Sequence, residues 1–196
     1  MKKAYITGAT GAIGMALVGE LLKNRISTTV FLRKDSGRND RVKDSFSGEL
    51  ARGLLRIEYV SLEELSGYAL SRNTQDMKTY ASQDLLTKAA GGADTAVFYH
   101  LGWSGTFGEQ RNDADMQQKN VEYTLDAVRL AKRLGCVHFI GVGSQAEYGR
   151  FDGRLTPATR TLPENEYGCR NTQRRAVPWA WAQTFMGACF KRLWSL

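Results

Sequence analysis

Apolar positions near the start of the chain alternate between two textures. Lys3 to Ile6 is a short apolar run that stops at Gly8. From Ala12 to Lys23, the residues Ile13, Leu17, Leu21 and Leu22 recur at helical spacing and predict one buried face. Thr28 to Leu32 is a β-branched run and reads as a second strand. A polar, Gly-containing segment follows from Ser36 to Gly53, and Leu54 to Val60 reads as a third strand. Residues 61–93 carry only helical fragments, near Leu62–Leu65 and Ser82–Ala90. Thr95 to Leu101 is apolar almost throughout, as a strand buried on both faces should be. Asn112 to Leu134 predicts a long helix lined by Val121, Leu125, Val128 and Leu130, with Gly135 as its stop. Val137 to Val142 is a fifth strand. Strands that alternate with helices predict βαβ units and a parallel sheet.

Composition narrows this picture without redirecting it. At 196 residues, with 42% hydrophobic and 24% charged, the chain is an ordinary globular domain that can bury a core. No apolar run is long enough to span a membrane, and Gly8 and Gly11 break the start too early for a secretory signal. The net charge of +7 raises the question of nucleic acid. Residues 169–196 hold five of the 27 cations and no acid, which leaves 22 basic against 20 acidic residues, or +2, in residues 1–168. A near-neutral body has no basic stripe to track phosphates, so nucleic acid is excluded as a partner. Cys136, Cys169 and Cys189 form no CxxC pair, so we expect free thiols, no metal site and a cytoplasmic location.

The most informative segment is Thr7-Gly8-Ala9-Thr10-Gly11-Ala12-Ile13-Gly14, between the first strand and the first helix. There, Gly8 permits the tight turn, Gly11 lets backbone approach a pyrophosphate, and Gly14 lets the helix pack on the sheet. The helix start then presents N–H groups and the positive end of its dipole to the anion. This predicts a Rossmann-like, doubly wound parallel sheet binding a dinucleotide through Gly8, Thr10, Gly11, Ala12, Ile13 and Gly14. About 20 residues on, NAD-preferring proteins place a carboxylate. Here Arg33 and Lys34 stand at the end of the second strand, ahead of Asp35, and favour the 2′-phosphate of NADP over NAD.

Taken with four further segments, the loop resembles the extended short-chain dehydrogenase/reductases of the NAD(P)-dependent epimerase/dehydratase family. The segments are Tyr99-His100-Leu101-Gly102-Trp103, then Asn120-Val121 with Thr124, then Gly143-Ser144-Gln145-Ala146-Glu147-Tyr148-Gly149, and Pro163-Glu164-Asn165-Glu166-Tyr167-Gly168. The resemblance covers residues 3–168. It implies that His100, Leu101 and Gly102 lie along the cofactor and that Asn120 braces the site. It also implies that Tyr167 is the general acid/base, with Ser144 bonding the reacting oxygen, in chemistry on a nucleotide sugar. A homodimer through the long helix and the tyrosine-bearing helix is implied as well. Read without the resemblance, Ser144 could simply cap the strand-to-loop turn and Tyr167 could be a partly buried aromatic.

The pattern breaks just after Tyr167. The family places a lysine four residues later, whose ammonium helps a phenol of ordinary pKa near ~10 act as a base. This chain has Asn171 there, and Arg170 is turned about 100° away on a helix. Residues 169–196 hold three of the four tryptophans and no acid, and Pro178 interrupts them. They read as an atypical basic tail, from a frameshift or truncation or from a short variant whose aromatics dock on the sheet or a membrane surface. The family's substrate lobe is then largely missing. Two function classes remain: an epimerase/dehydratase-type oxidoreductase domain, impaired as an enzyme, and a non-catalytic dinucleotide-binding remnant.

Overall fold

The computed structural model describes residues 1–71, 95–156 and 158–174. The chain forms two compact units, Met1–Gly102 with Asp126–Ile140, and Trp103–Leu125 with Gly141–Leu196.

The first unit is built on a five-stranded sheet. In chain order its strands are β1 (Lys3–Thr7), β2 (Ser27–Leu32), β3 (Leu55–Tyr59), β4 (Ala96–His100) and β5 (Cys136–Gly141). They lie side by side as β3-β2-β1-β4-β5. The β1–β2, β1–β4 and β2–β3 pairs are parallel, and Thr7 stands opposite both Phe31 and His100. β1 is central, and its Ala4, Tyr5, Ile6 and Thr7 are all buried. This is the Rossmann-like α/β arrangement expected from the alternating pattern.

Each sheet face has its own core, because successive side chains of a strand point to opposite faces. On one face Ala4, Ile6, Val30, Leu32 and Leu55 pack with Val18, Leu21 and Leu22 of α1 (Ala12–Lys23) and Val42 of α2 (Asn39–Ser45). On the other, Tyr5, Phe31 and Phe98 join Leu65 and Ala69 of α4 (Leu65–Ser71) and Ala127, Leu130 and Ala131 of α5 (Ala114–Arg133). Aromatic rings run across this second face, with Phe98 stacked on Tyr5, Phe31 and Phe139 at centroid separations of 6.4, 6.0 and 5.6 Å. Offset stacks of this kind add to the area they bury.

The helices depart from the sequence pattern in four places. The buried face of α1 is Gly14, Val18, Leu21 and Leu22, while Ile13 is 63% exposed. Ile13 has helical spacing but sits in the first turn, beyond the sheet face that the later turns cover. The polar segment after β2 contains two short helices, α2 and α3 (Ser47–Ala51), because Val42 gives α2 an anchor in the core. The helix expected near 62–65 begins at Leu65, and the fragment at 82–90 lies outside the described residues. The long helix starts at Ala114, after a 3₁₀ turn at Gly108–Asn112, and Asp113 caps it by accepting the Met116 N–H at 2.9 Å. Gly135 ends its exit turn at φ 71°, the left-handed position where glycine belongs.

The second unit contains that 3₁₀ turn, the first part of α5, a further 3₁₀ turn at Gln145–Tyr148 and a helix over 166–174, here α6. The helix runs through the boundary expected at residue 168, and the remainder of the expected tail lies outside the described residues.

Candidate active site

The glycine loop has the local geometry its sequence predicts. Gly8 adopts φ 75°, and a Cβ there would lie 2.7 Å from Gly102 N and Leu101 C. A Cβ at Gly14 would strike the Gly8 carbonyl oxygen and the Ala9 backbone. Both positions therefore require glycine for packing. Gly11 differs, since a Cβ there would meet only Gly8 O, at an ordinary 3.5 Å. Its small size leaves open space beside the loop, which fits close approach by a ligand.

Gly11 caps α1 with no side-chain bond, and the first turn carries no acid. The first helical bond is Met15 N–H to Gly11 O at 2.8 Å, so the N–H groups of Ala12, Ile13 and Gly14 have no carbonyl of the same helix to bond. An anion finds donors and a positive dipole end there, with no carboxylate competing. Thr10 is half-buried beside them. These features fit the pyrophosphate of a dinucleotide.

The turn after β2 holds Arg33 and Lys34 exposed. Its backbone is fixed by buried Asn39, whose Nδ2 donates to Arg33 O at 2.9 Å and Lys34 O at 3.1 Å. The two cations thus stand on a braced turn with their charged heads in solvent. At the end of β4, His100 is fully buried and its Nδ1 lies 2.8 Å from Thr7 Oγ1. Gly102 N–H donates to the same Thr7 oxygen at 3.3 Å. Leu101 and Gly102 remain half-buried.

In the second unit, Asn120 is buried and works as a brace. Its Oδ1 accepts the Ser104 N–H at 2.8 Å and its Nδ2 donates to Ser104 O at 2.9 Å. Gln117, one turn earlier, extends the brace: its Nε2 donates to Gly105 O and Gln110 O, and its Oε1 accepts Trp103 Nε1–H at 2.8 Å. Sequence reasoning missed Gln117, whose signal was a polar residue on the inward helix face with Asn120 and Thr124.

Ser144 caps the 3₁₀ turn at Gln145–Tyr148. Its Oγ accepts the Ala146 N–H at 3.2 Å, and its own N–H donates to Glu147 Oε1 at 2.8 Å, a capping box. The cap uses a lone pair of Oγ and leaves the hydroxyl proton to give to another acceptor. Glu147 is 3% exposed, and its carboxylate closes this box.

Tyr167, half-buried in the first turn of α6, meets Trp103 edge-on at 6.1 Å. The Arg111 guanidinium lies over its ring, 4.9 Å from the centroid. Asn171 is buried and its Nδ2 donates to Tyr167 O at 2.7 Å, so the lysine position is filled by a helix-internal amide. Arg170 turns outward to pair with Glu166 at 3.2 Å. Arg174, one turn beyond Asn171, is 4% exposed; it lies 5.1 Å from the Trp103 ring and donates to Val142 O. Burial pulls its pKa down to about 10, opposed by the nearby Glu147 and Tyr167. Arg111 and Arg174 were absent from the sequence-based site; Arg174 stands seven residues after Tyr167 on the same helix face, whereas no spacing brings Arg111 to Tyr167.

Among the described residues no helix is long and apolar enough to cross a membrane, and no cluster of His, Cys, Asp and Glu could hold a metal ion.

Solved structures with the same fold include the UDP-glucuronic acid 4-epimerase of Bacillus cereus in complex with NAD (TM-score 0.64, 18% identity, 93% of this chain and 53% of that one). The UDP-Glc/GlcNAc 4-epimerase of Campylobacter jejuni aligns at TM-score 0.67 and 17% identity, over 94% of this chain and 50% of the other. The UDP-glucose 4-epimerase of Thermus thermophilus, complexed with NAD, gives 0.69 and 14%, over 93% and 51%. The chain thus spans about half the length of these proteins. No curated protein matches it. The profile of the NAD dependent epimerase/dehydratase family matches residues 4–195, a span that includes nearly all of the expected tail. The chain belongs to the NAD dependent epimerase/dehydratase family.

Proposed function

We propose that the chain binds a nicotinamide dinucleotide, NADP in preference to NAD, and serves epimerase/dehydratase-type oxidoreduction of a nucleotide sugar. The observation that carries this reading is the loop Thr7–Gly14, in which Gly8 and Gly14 are fixed by packing and Gly11 is left open beside an uncapped helix start. The N–H groups of Ala12, Ile13 and Gly14 would bind the pyrophosphate. Arg33 and Lys34 would pair with the 2′-phosphate. Leu101 and Gly102 would line the cofactor, with buried His100 fixing the strand end behind them and Asn120 bracing the loop at Ser104. When bound, the nicotinamide accepts or returns a hydride. Tyr167 would move a proton at the sugar oxygen, and Ser144 would donate its free hydroxyl proton to that oxygen. The sugar class is supported by the UDP-sugar epimerases that share the fold. The same reading pairs two copies through α5 and places the chain in the cytoplasm, with Cys136 and Cys169 as free thiols.

A second reading, dinucleotide binding without turnover, is favoured by one observation, the amide of Asn171 where the family has an ammonium. One experiment separates the two. NADPH and NADH are titrated into the full chain, and UDP-sugars are then added to the NADP⁺ complex while reduced nicotinamide absorbance is followed. Binding with sugar-dependent reduction supports catalysis. Binding without it supports the second reading, and absence of binding refutes both.

A further inference from the structure

Around Tyr167 the charges do not balance. Among the described residues Arg111 makes no ion pair, and its buried Nε has no hydrogen-bond partner. Its guanidinium lies over the face of the Tyr167 ring, at 4.9 Å. A guanidinium keeps five donors in a fixed fork, so an aromatic face satisfies none of them. The second cation, Arg174, is 4% exposed and packs on Trp103, which itself touches Tyr167. Glu147, the acid in electrostatic reach of Arg174, already accepts the Ser144 N–H. Glu166 is engaged by Arg170. Asp113, two residues from Arg111, is spent on capping α5. A buried guanidinium donor without an acceptor is costly, and an anion would complete it and balance the charge as well.

We propose that Arg111, with the charge of Arg174 behind it, binds an oxyanion carried by the substrate's sugar ring, so that the favoured substrate is a nucleotide-activated uronic acid. This rests on the reading of Tyr167 as the group that meets the sugar. Arg111 lies against Tyr167, so on that reading the anion it recognises sits on the reacting sugar. A carboxylate suits the fork, because two parallel N–H donors match its two oxygens.

The test uses the full chain saturated with NADP⁺, titrated calorimetrically with UDP-glucuronic acid and with UDP-glucose. We expect the acid to bind about tenfold or more tightly than the neutral sugar, the difference of one charge-assisted contact. Arg111→Met should remove that preference by weakening only the acid, and Arg111→Lys should restore part of it. NADP⁺ affinity, measured separately, should be the same in all three proteins and reports whether each variant is folded. Equal binding of both sugars, binding of neither, or a preference that survives Arg111→Met overturns the proposal. Failure of the parent to bind NADP⁺ would instead strike the functional reading beneath it.

Discussion

The hydroxyl of Thr7 lies 2.8 Å from Nδ1 of His100, across paired positions of two parallel strands. Thr7 Oγ1 also takes the Gly102 N–H. One small side chain therefore ties the end of β1 to the end of β4 and to the chain leaving β4, directly beside the glycine loop. Thr7→Val keeps the shape and deletes both bonds. It leaves buried His100 without its Thr7 partner, and should destabilise the first unit by about 1–3 kcal/mol. Urea unfolding at neutral pH measures it, and an unchanged midpoint would show that the pair does not hold the strand ends.

Gly11→Val and Gly14→Val should fail in different ways. At Gly11 a side chain meets only Gly8 O at 3.5 Å, so the fold should survive and cofactor binding should be lost. At Gly14 it meets Gly8 and Ala9 backbone, so the turn itself must shift and the melting temperature should fall by several degrees. Circular dichroism melts alongside cofactor titration distinguish these outcomes. Equal melting losses in both variants would contradict the assignment of Gly11 to the ligand side.

Helix α1 ends with Arg25 at φ 58°, where its N–H reaches Leu22 O and the next N–H, of Ile26, reaches Leu21 O. Those two bonds form the motif that glycine normally serves. Arg25→Gly relieves the left-handed strain, partly offset by the greater freedom of glycine in the unfolded chain, and should stabilise by up to about 1 kcal/mol. A lower unfolding midpoint would mean that the Arg25 side chain contributes more than its backbone costs.

Burial pushes the Cys136 thiol from 9.0 up to about 12, whereas Cys169 is exposed. The folded chain at pH 8.5 should be alkylated at Cys169 and spared at Cys136 until denaturant is added, as peptide mass spectrometry will show. The native state holds the Cys136 proton more tightly than the unfolded chain. Its contribution to stability is therefore present below pH 9 and lost as pH rises toward 12. Rapid native alkylation of Cys136 would contradict its place in the core.

The sheet was legible because its strands are short apolar runs between glycine and polar breaks, and the loop because its glycines sit at a strand-to-helix junction. Val121, Leu125, Val128 and Leu130 located α5, but the polar residues on the same helix were harder to read. Gln117, Asn120 and Thr124 are buried because they bond backbone, and hydrophobic periodicity cannot register an amide that is satisfied internally. Ile13 misled for the opposite reason, since an apolar residue at the right spacing can still overhang the end of its helix. Arg174 shares a helix face with Tyr167, seven residues on in α6, but Arg111 meets the Tyr167 ring only through tertiary structure. No local pattern encodes that.

The account stands most directly on how the chain binds its cofactor. Calorimetric titration of the full chain with NADP⁺ and NAD⁺, repeated with Arg33→Asp, measures it. The prediction is saturable binding of both, tighter for NADP⁺, with the order reversed in Arg33→Asp because the 2′-phosphate then meets a carboxylate. No binding of either dinucleotide, or a preference that Arg33→Asp leaves untouched, would contradict the account.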